Sequence, residues 1–347
     1  MNSIEPKQGN IVLFGELMLR LSTKGLEKLV QANELEARYT GAEANVGVSC
    51  ANYGMKSYIV SKVPASDVGQ ACINYLNRFG LDCRYVVRGG QRLGLLYTET
   101  GHSQRASKVI YDRANSAFSE LHQNEIDWQN ILEGKDWFHF CGTAPAQGEE
   151  VLAVLVEGLK SAKAMGIKVS LDYNYRSKLW EKKTAQRVME KLMQYVDIGI
   201  GNEEDCEAMF GIHADGSNYL NGQINTDSYE IVAKKMVDTF GLDYQAITLR
   251  ESISANRNGW SAIIHDGKKC SRSQRYTIDV VDRIGAGDSF SGGLIYAISS
   301  NYKIDDALEF AVASSCLKHT IPGDFNLVSR EDVLNLVKGN SAGRVQR

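Results

Sequence analysis

Short apolar runs alternate with longer amphipathic stretches along most of this chain. Ile11–Phe14 is uniformly apolar and predicts a buried strand. Ala42–Tyr53 places Ala44, Val48 and Ala51 at helical spacing and stops at Gly54. Ser57–Val60 then predicts a strand, and Gly69–Phe79 a helix that Gly80 ends. The rhythm returns with strands at Trp137–Phe140, Ile167–Leu171, Ile198–Ile200 and Ala246–Leu249. Between them the pattern predicts helices over Glu149–Met165, Thr184–Tyr195, Glu204–Phe210 and Ile231–Phe240, with Gly166 and Gly211 as stops. Such alternation predicts an α/β fold: a central, mostly parallel sheet flanked by helices.

Two stretches break the rhythm. Leu19–Tyr39 and Tyr85–Arg113 carry short β-like pieces, with turns at Gly89-Gly90 and Gly101-His102. Structureless loops of that length are unusual in a compact domain. They predict a small β-sheet lid, about residues 16–40 and 85–113, over a cleft in one domain of residues 1–347. A further antiparallel patch, Trp260–His265 with Arg272–Ile278, turns at Asp266-Gly267.

The chemistry concentrates between Tyr276 and Ser300. Tyr276–Val281 is β-branched and apolar, which predicts a strand, and Ser289–Ser300 has Phe290, Leu294 and Ile298 at helical spacing. Between them runs Asp282-Arg283-Ile284-Gly285-Ala286-Gly287-Asp288. A strand turning through small residues into a helix N-terminus makes an anion site from free amides and the helix dipole. Gly285, Ala286 and Gly287 would let a phosphate approach the main chain. Asp288 is then either a helix cap or the base that takes the proton of an attacking hydroxyl in phosphoryl transfer. Gly292-Gly293 inside the helix predicts close approach of a neighbouring element. There is no G-x-x-x-x-G-K-[ST] segment and no dinucleotide fingerprint, which sets aside P-loop enzymes and nicotinamide dehydrogenases.

Bulk properties agree with a small-molecule enzyme. The 347 residues are 43% hydrophobic and 23% charged, with a net charge of -3 and no basic stripe, so no nucleic-acid partner is expected. The polar Met1–Asn10 segment lacks an apolar core, and Ile11–Phe14 is too short to span a bilayer; a cytoplasmic protein with no membrane partner is expected. Seven cysteines without a C-x-x-C pair point to reduced thiols, not to a disulfide framework or a zinc site. His139 lies in an apolar strand and reads as a satisfied core residue.

The Asp282–Phe290 segment resembles the C-terminal signature of the ribokinase family of carbohydrate kinases, D-T-x-G-A-G-D-x-F, with Arg283 departing at the second place. Gly41-Ala42-Glu43-Ala44-Asn45-Val46-Gly47-Val48 is similar to the family's glycine-rich sugar-binding segment. Asn202-Glu203-Glu204-Asp205 resembles its N-x-x-E motif, with aspartate last. Within the family the likeness is to members acting on sugar acids, through Leu171–Arg176, Leu179-Trp180, Tyr97, Tyr111–Arg113 and Phe140–Pro145.

The resemblance implies a ribokinase-like fold and ATP-dependent phosphorylation of a small sugar acid. It implies Asp288 as catalytic base and Gly285, Ala286 and Gly287 as anion hole. It implies substrate contacts at Gly41, Asn45, Tyr97, Tyr111, Arg113, Thr143, Arg176 and Asp288, with Arg113 and Arg176 reading the carboxylate. Nucleotide contacts are implied at Asn174, Asn202, Arg250 and Gly287. Mg²⁺ is implied near Asn202 and Asp205 through water, and a monovalent cation near Asp282. From the residues alone, Asn202 and Asp205 are equally well helix caps, Arg113 and Arg176 surface bases, and Tyr97 and Tyr111 sheet-packing residues. Arg250–Gly259 is longer and more polar than the family's short glycine turn, which unsettles the adenine side. A homo-oligomer through the lid is expected because lid strands leave edges or a face to cover. The alternatives are a family kinase for a neutral sugar or nucleoside, and a catalytically silent sugar sensor.

Overall fold

A computed structural model describes residues 9–202, 204–213 and 225–339. The first eight residues, part of the polar N-terminal stretch, and Glu203 of the N-x-x-E segment lie outside the described residues.

β1 (Asn10–Phe14) starts the main sheet, and β2 (Met18–Ser22) and β3 (Glu36–Thr40) leave it for the lid. The chain returns through β4 (Lys56–Val63) and β5 (Leu81–Arg88), then revisits the lid as β6 (Gly94–Glu99) and β7 (Lys108–Asp112). β8 (Trp137–Cys141), β9 (Lys168–Asp172), β10 (Ile198–Asn202) and β11 (Tyr244–Ser254) resume the main sheet. β12 (Arg257–His265), β13 (Cys270–Arg272) and β14 (Tyr276–Asp279) complete it.

The ten-stranded sheet has the order β13-β12-β11-β10-β9-β8-β1-β4-β5, with β14 also on β12. It is parallel from β5 to β11 and antiparallel around β12. β1 lies inside it, and its alternate residues enter different cores. Ile11 and Leu13 join the cluster that holds Phe290, Leu294, Ala311 and Val312, whereas Val12 and Phe14 join the one that holds Val154, Leu155 and Leu159. That is why the run is apolar at every position: both faces are covered by helices.

The lid is a four-stranded mixed sheet, β3-β2-β6-β7. β2 pairs antiparallel with β3 and parallel with β6, and β6 antiparallel with β7. The second lid segment is shorter than expected, because residues 85–88 belong to β5 and pair with β4 in the main sheet. The expected Arg272–Ile278 strand is two strands, interrupted where Ser273 Oγ accepts the Ala262 N–H at 2.9 Å. The long polar Arg250–Gly259 segment forms a hairpin. β11 continues to Ser254 and folds back as β12, with Arg250 opposite Trp260.

The helix expected from Ser289 begins three residues earlier, at Ala286, with Gly285 as its N-cap. A Cβ on Gly292 would crowd Ser49 Cβ at 2.6 Å, and one on Gly293 would crowd Ala311 Cα at 3.0 Å. The glycine pair thus lets the Ala286–Ser299 helix pack closely on the Ala42–Asn52 and Ile304–Lys318 helices. His139 is only half satisfied: Nδ1 meets Ser170 Oγ at 2.8 Å, while Nε2 has no partner. Among the described residues no helix is long and apolar enough to cross a membrane.

Candidate active site

Strand order reverses between β1 and β8: the chain progresses one way through β4 and β5, the other way through β9, β10 and β11. In open α/β sheets ligands bind in the crevice at such a switch, outside the carboxyl ends of the strands. A cleft of about 1230 Å³ opens there beneath the lid. Glu16 follows β1, Thr143 follows β8, Asn174 follows β9, Asn202 ends β10 and Arg250 lies in β11; all line the cleft.

Two helix N-termini enter from the other side. Gly41 caps Ala42–Asn52, and a Cβ there would strike the Glu16 carbonyl oxygen. Gly285 caps Ala286–Ser299 with φ 81°, and a Cβ there would strike the Asp324 carbonyl oxygen. Both positions require glycine. Gly287 differs: an added Cβ would meet nothing within 4 Å, so its side faces open cleft.

The anion turn is narrower than expected. The Ala286 N–H donates to the Arg283 carbonyl at 3.2 Å, and the Ser289 N–H to that of Gly285 at 2.8 Å. Ala286 itself is buried and does not line the cleft. The amides of Gly287 and Asp288, between these two bonded ones, are left at the open helix end.

Asp288 lies in the first turn of this helix. Asn45 Nδ2 donates to Asp288 Oδ2 at 2.7 Å, and Thr40 Oγ1 donates to Asn45 Oδ1 at 3.1 Å. Asn45, expected on the substrate, therefore holds the carboxylate. Burial pushes the Asp288 pKa up from 3.8 to about 6, against the lowering effect of the Asn45 hydrogen bond. Asp324 raises it further, while Arg176 and Lys318 lower it.

The two arginines expected to act together have separate surroundings. Arg113 is buried and paired with Glu16: Nε donates to Oε2 at 2.7 Å. It also sits over the Tyr111 ring at 5.6 Å. Glu16 accepts from Gln147 at 3.2 Å through the same oxygen, and its Oε1 is buried with no partner. Arg176 reaches solvent through the open cleft and bonds the Tyr175 carbonyl at 2.9 Å. Burial opposes its charge, but Tyr111, Asp205 and Asp172 outweigh that and raise its pKa.

Tyr97 does not line the cleft. Strand side chains alternate, and its neighbour Leu96 and the cross-strand Tyr111 occupy the cleft face. Tyr97 is therefore on the opposite face of the lid. Thr143 lines the cleft, its Oγ1 2.9 Å from Cys141 Sγ.

On the β9–β11 side, Asn202 Oδ1 accepts the N–H groups of Glu204 and Asp205 at 2.8 and 3.1 Å. Asp205 accepts those of Asn202 and Tyr175 at 2.9 and 3.1 Å. Asn202 thus satisfies the first amide of the Asp205–Phe210 helix, Asp205 ties the turn before that helix to the segment after β9, and both line the cleft. Asn174 is left-handed, φ 42°, and its buried Oδ1 has no partner. Arg250 and Arg283 also line the cleft, and the pKa of Arg283 is lowered by burial and then by Arg250. Two neighbouring guanidiniums suit a polyanion.

Among the described residues no three His, Cys, Asp or Glu side chains form a metal cage. Mg²⁺ seldom needs one, since it keeps several waters and rides on phosphates. The orphan Asn174 Oδ1 beside Asn202, Glu204 and Asp205 fits such a water-mediated site.

Several site residues were not read from the sequence. Glu43 accepts the Cys141 N–H at 3.0 Å inside the switch-point crevice, and burial pushes its pKa up to about 7. Asp172 lines the cleft, its pKa pushed well above the usual range by burial, Asp205 and Asp288. Glu16 could have been found as an acid directly after an apolar strand. Arg20 could not: it bonds Asp282 at 2.9 Å and also Asp324, tying the lid to the anion turn and to a distant loop.

The sequence pattern of the pfkB family of carbohydrate kinases matches residues 8–239 and 257–328. A 2-dehydro-3-deoxygluconokinase of Thermotoga maritima superposes with a TM-score of 0.92 at 43% identity, covering 96% of this chain and 99% of that one. A pfkB family carbohydrate kinase of Listeria grayi superposes with a TM-score of 0.88 at 32% identity, covering 95% and 99%. A 2-dehydro-3-deoxygalactonokinase of Haloferax volcanii is 29% identical over 333 residues, covering 96% of this chain and 98% of that protein. With its ribokinase-like sheet and lid, this chain belongs to the pfkB family of carbohydrate kinases.

Proposed function

We propose that this protein transfers the γ-phosphoryl group of ATP to the terminal primary hydroxyl of 2-keto-3-deoxygluconate, giving 2-keto-3-deoxy-6-phosphogluconate and ADP. The observation that carries the reading is the Asn45–Asp288 pair at the open end of the Ala286–Ser299 helix. It puts a positioned carboxylate beside free amides. A base and an anion site belong together where a hydroxyl attacks phosphorus.

Asp288 takes the hydroxyl proton as the oxygen attacks in line. The Gly287 and Asp288 amides and the helix N-terminus receive the charge spread over the phosphoryl oxygens. Arg250 and Arg283, both in the cleft wall, would grip the remaining phosphates. Asn202 and Asp205, with Asn174 and Glu204 beside them, would hold Mg²⁺ through water; bound there with ATP, it neutralises phosphate charge.

For the acceptor, Arg176 stands in the cleft with its charge available to a carboxylate, and Tyr111 beside it. Arg113 is already paired, so it orients Glu16, whose unpartnered Oε1 suits a sugar hydroxyl. The likeness to the Thermotoga maritima enzyme favours the gluconate-derived acid, and the Haloferax volcanii relative favours its galacto epimer as the second reading.

A panel of initial rates with purified protein, ATP and Mg²⁺ tests this. 2-Keto-3-deoxygluconate should give a kcat/KM well above ribose and fructose. A neutral sugar preferred over both keto acids would overturn the sugar-acid assignment, and a higher kcat/KM for the galacto acid would favour the epimer.

A further inference from the structure

The sequence resemblance implies a monovalent cation near Asp282, but the chain brings a cation of its own to that place. Lys318 is the last residue of the Ile304–Lys318 helix and is fully buried. Its Nζ donates to the Asp282 carbonyl at 3.0 Å and to the Ile321 carbonyl at 3.4 Å. Neither partner is a carboxylate. Main-chain carbonyls are the ligands that replace the water shell of a bare alkali ion. A buried ammonium on carbonyls alone is unfavourable unless its surroundings favour positive charge. Burial lowers the Lys318 pKa, with Arg20 adding to that; Asp282, Asp324 and Asp288 oppose it, and so does the negative end of the helix dipole.

What the ammonium grips is the base of the anion turn. The Asp282 carboxylate accepts the Ile284 N–H at 3.1 Å, the Gly323 N–H at 3.0 Å and Arg20 at 2.9 Å. Ser315 Oγ, on the same helix as Lys318, donates to the Ala286 carbonyl at 2.7 Å. The main chain from Asp282 to Ala286 is thus clamped at both ends, with Lys318 under the first.

We propose that the Lys318 ammonium is a built-in replacement for a monovalent cation, holding the Asp282–Asp288 turn in its phosphate-receiving shape, so that the protein works without added K⁺ or Na⁺. Lys318 is a positioning residue: it acts through the turn and touches neither substrate. The inference rests on the kinase reading, so its main readouts are taken with nucleotide alone.

The test compares wild type, Lys318→Ala and Lys318→Met in K⁺, Na⁺ and tetramethylammonium at equal ionic strength. ATP–Mg²⁺ affinity is measured by calorimetry, Tm by thermal melt, and turnover on 2-keto-3-deoxygluconate in parallel. Wild type should be indifferent to the cation in all three. Lys318→Ala, which leaves room for an ion, should bind ATP about tenfold or more weakly in tetramethylammonium. K⁺ should restore its affinity and raise its Tm. Lys318→Met, which fills the space without charge, should lose affinity and not regain it. A wild type that needs K⁺ overturns the proposal, and so does a folded Lys318→Ala whose affinity ignores the cation. Should neither variant fold, the wild-type panel still decides. Failure on the sugar alone would leave the nucleotide and melting results standing, and would count against the acceptor assignment instead.

Discussion

Asn45 Nδ2 donates to Asp288 Oδ2 at 2.7 Å, and the two residues come from helices that both start in the cleft. Thr40 Oγ1 donates to Asn45 Oδ1, which turns the side-chain amide so that its NH₂ faces Asp288. The bond lowers the pKa of a carboxylate that burial has pushed up to about 6. Asn45→Ala should therefore raise that pKa and move the acid limb of the pH–rate profile to higher pH. Profiles of kcat/KM from about pH 5 to 9 check this; an unmoved limb would show that Asn45 does not tune the base.

The same raised pKa has a consequence for stability. An acid whose folded pKa lies above its ordinary 3.8 favours its protonated form in the fold. Its contribution is fully present below that ordinary value and is lost as pH rises through about 6. Asp288→Asn should thus melt at or above the wild-type temperature at pH 8. A markedly lower Tm would mean that the carboxylate stabilises the helix start as a cap.

The glycines of the anion turn should separate fold from function. Gly285→Ala introduces a Cβ at φ 81° against the Asp324 carbonyl, so it should lower Tm. Gly287→Val adds its side chain to open space and should melt near wild type. It should nevertheless abolish turnover by covering the amides a phosphate needs. Melts and rates of both variants decide; full activity in Gly287→Val would show that phosphate does not lie on this turn.

The turn was legible because its chemistry needs small residues and an acid in one contiguous run. Contacts between distant segments were not. Arg20 meets Asp324, and Lys318 meets Asp282, only after folding. Tyr97 was misplaced because a strand carries its residues alternately to two faces, and nothing local says which face meets the cleft. Residues 85–88 read equally well as lid or main sheet, since alternation does not name the partner strand. Arg250–Gly259 reads only as a long polar replacement for a short turn, because the residues of a hairpin at a sheet edge can be polar on both faces and so carry no strand pattern. The pairing of Arg113 with Glu16 was invisible for the same reason as Arg20: the partners are distant in sequence.

The two cleft arginines should fail differently. Arg113→Ala leaves the buried Glu16 without its cation, a loss of about 3–5 kcal/mol in such pairs, so Tm should fall sharply. Arg176→Ala should leave Tm nearly unchanged and lower kcat/KM for 2-keto-3-deoxygluconate by about one to two decades. Equal Tm losses in both variants would contradict the division of roles.

The central claim is that Asp288 takes the proton of the attacking hydroxyl, and single-turnover kinetics of Asp288→Asn with 2-keto-3-deoxygluconate test it most directly. The account predicts a rate about 10²–10⁴-fold below wild type, with ATP affinity unchanged. A rate within a few-fold of wild type would contradict it and return Asp288 to the role of a helix cap.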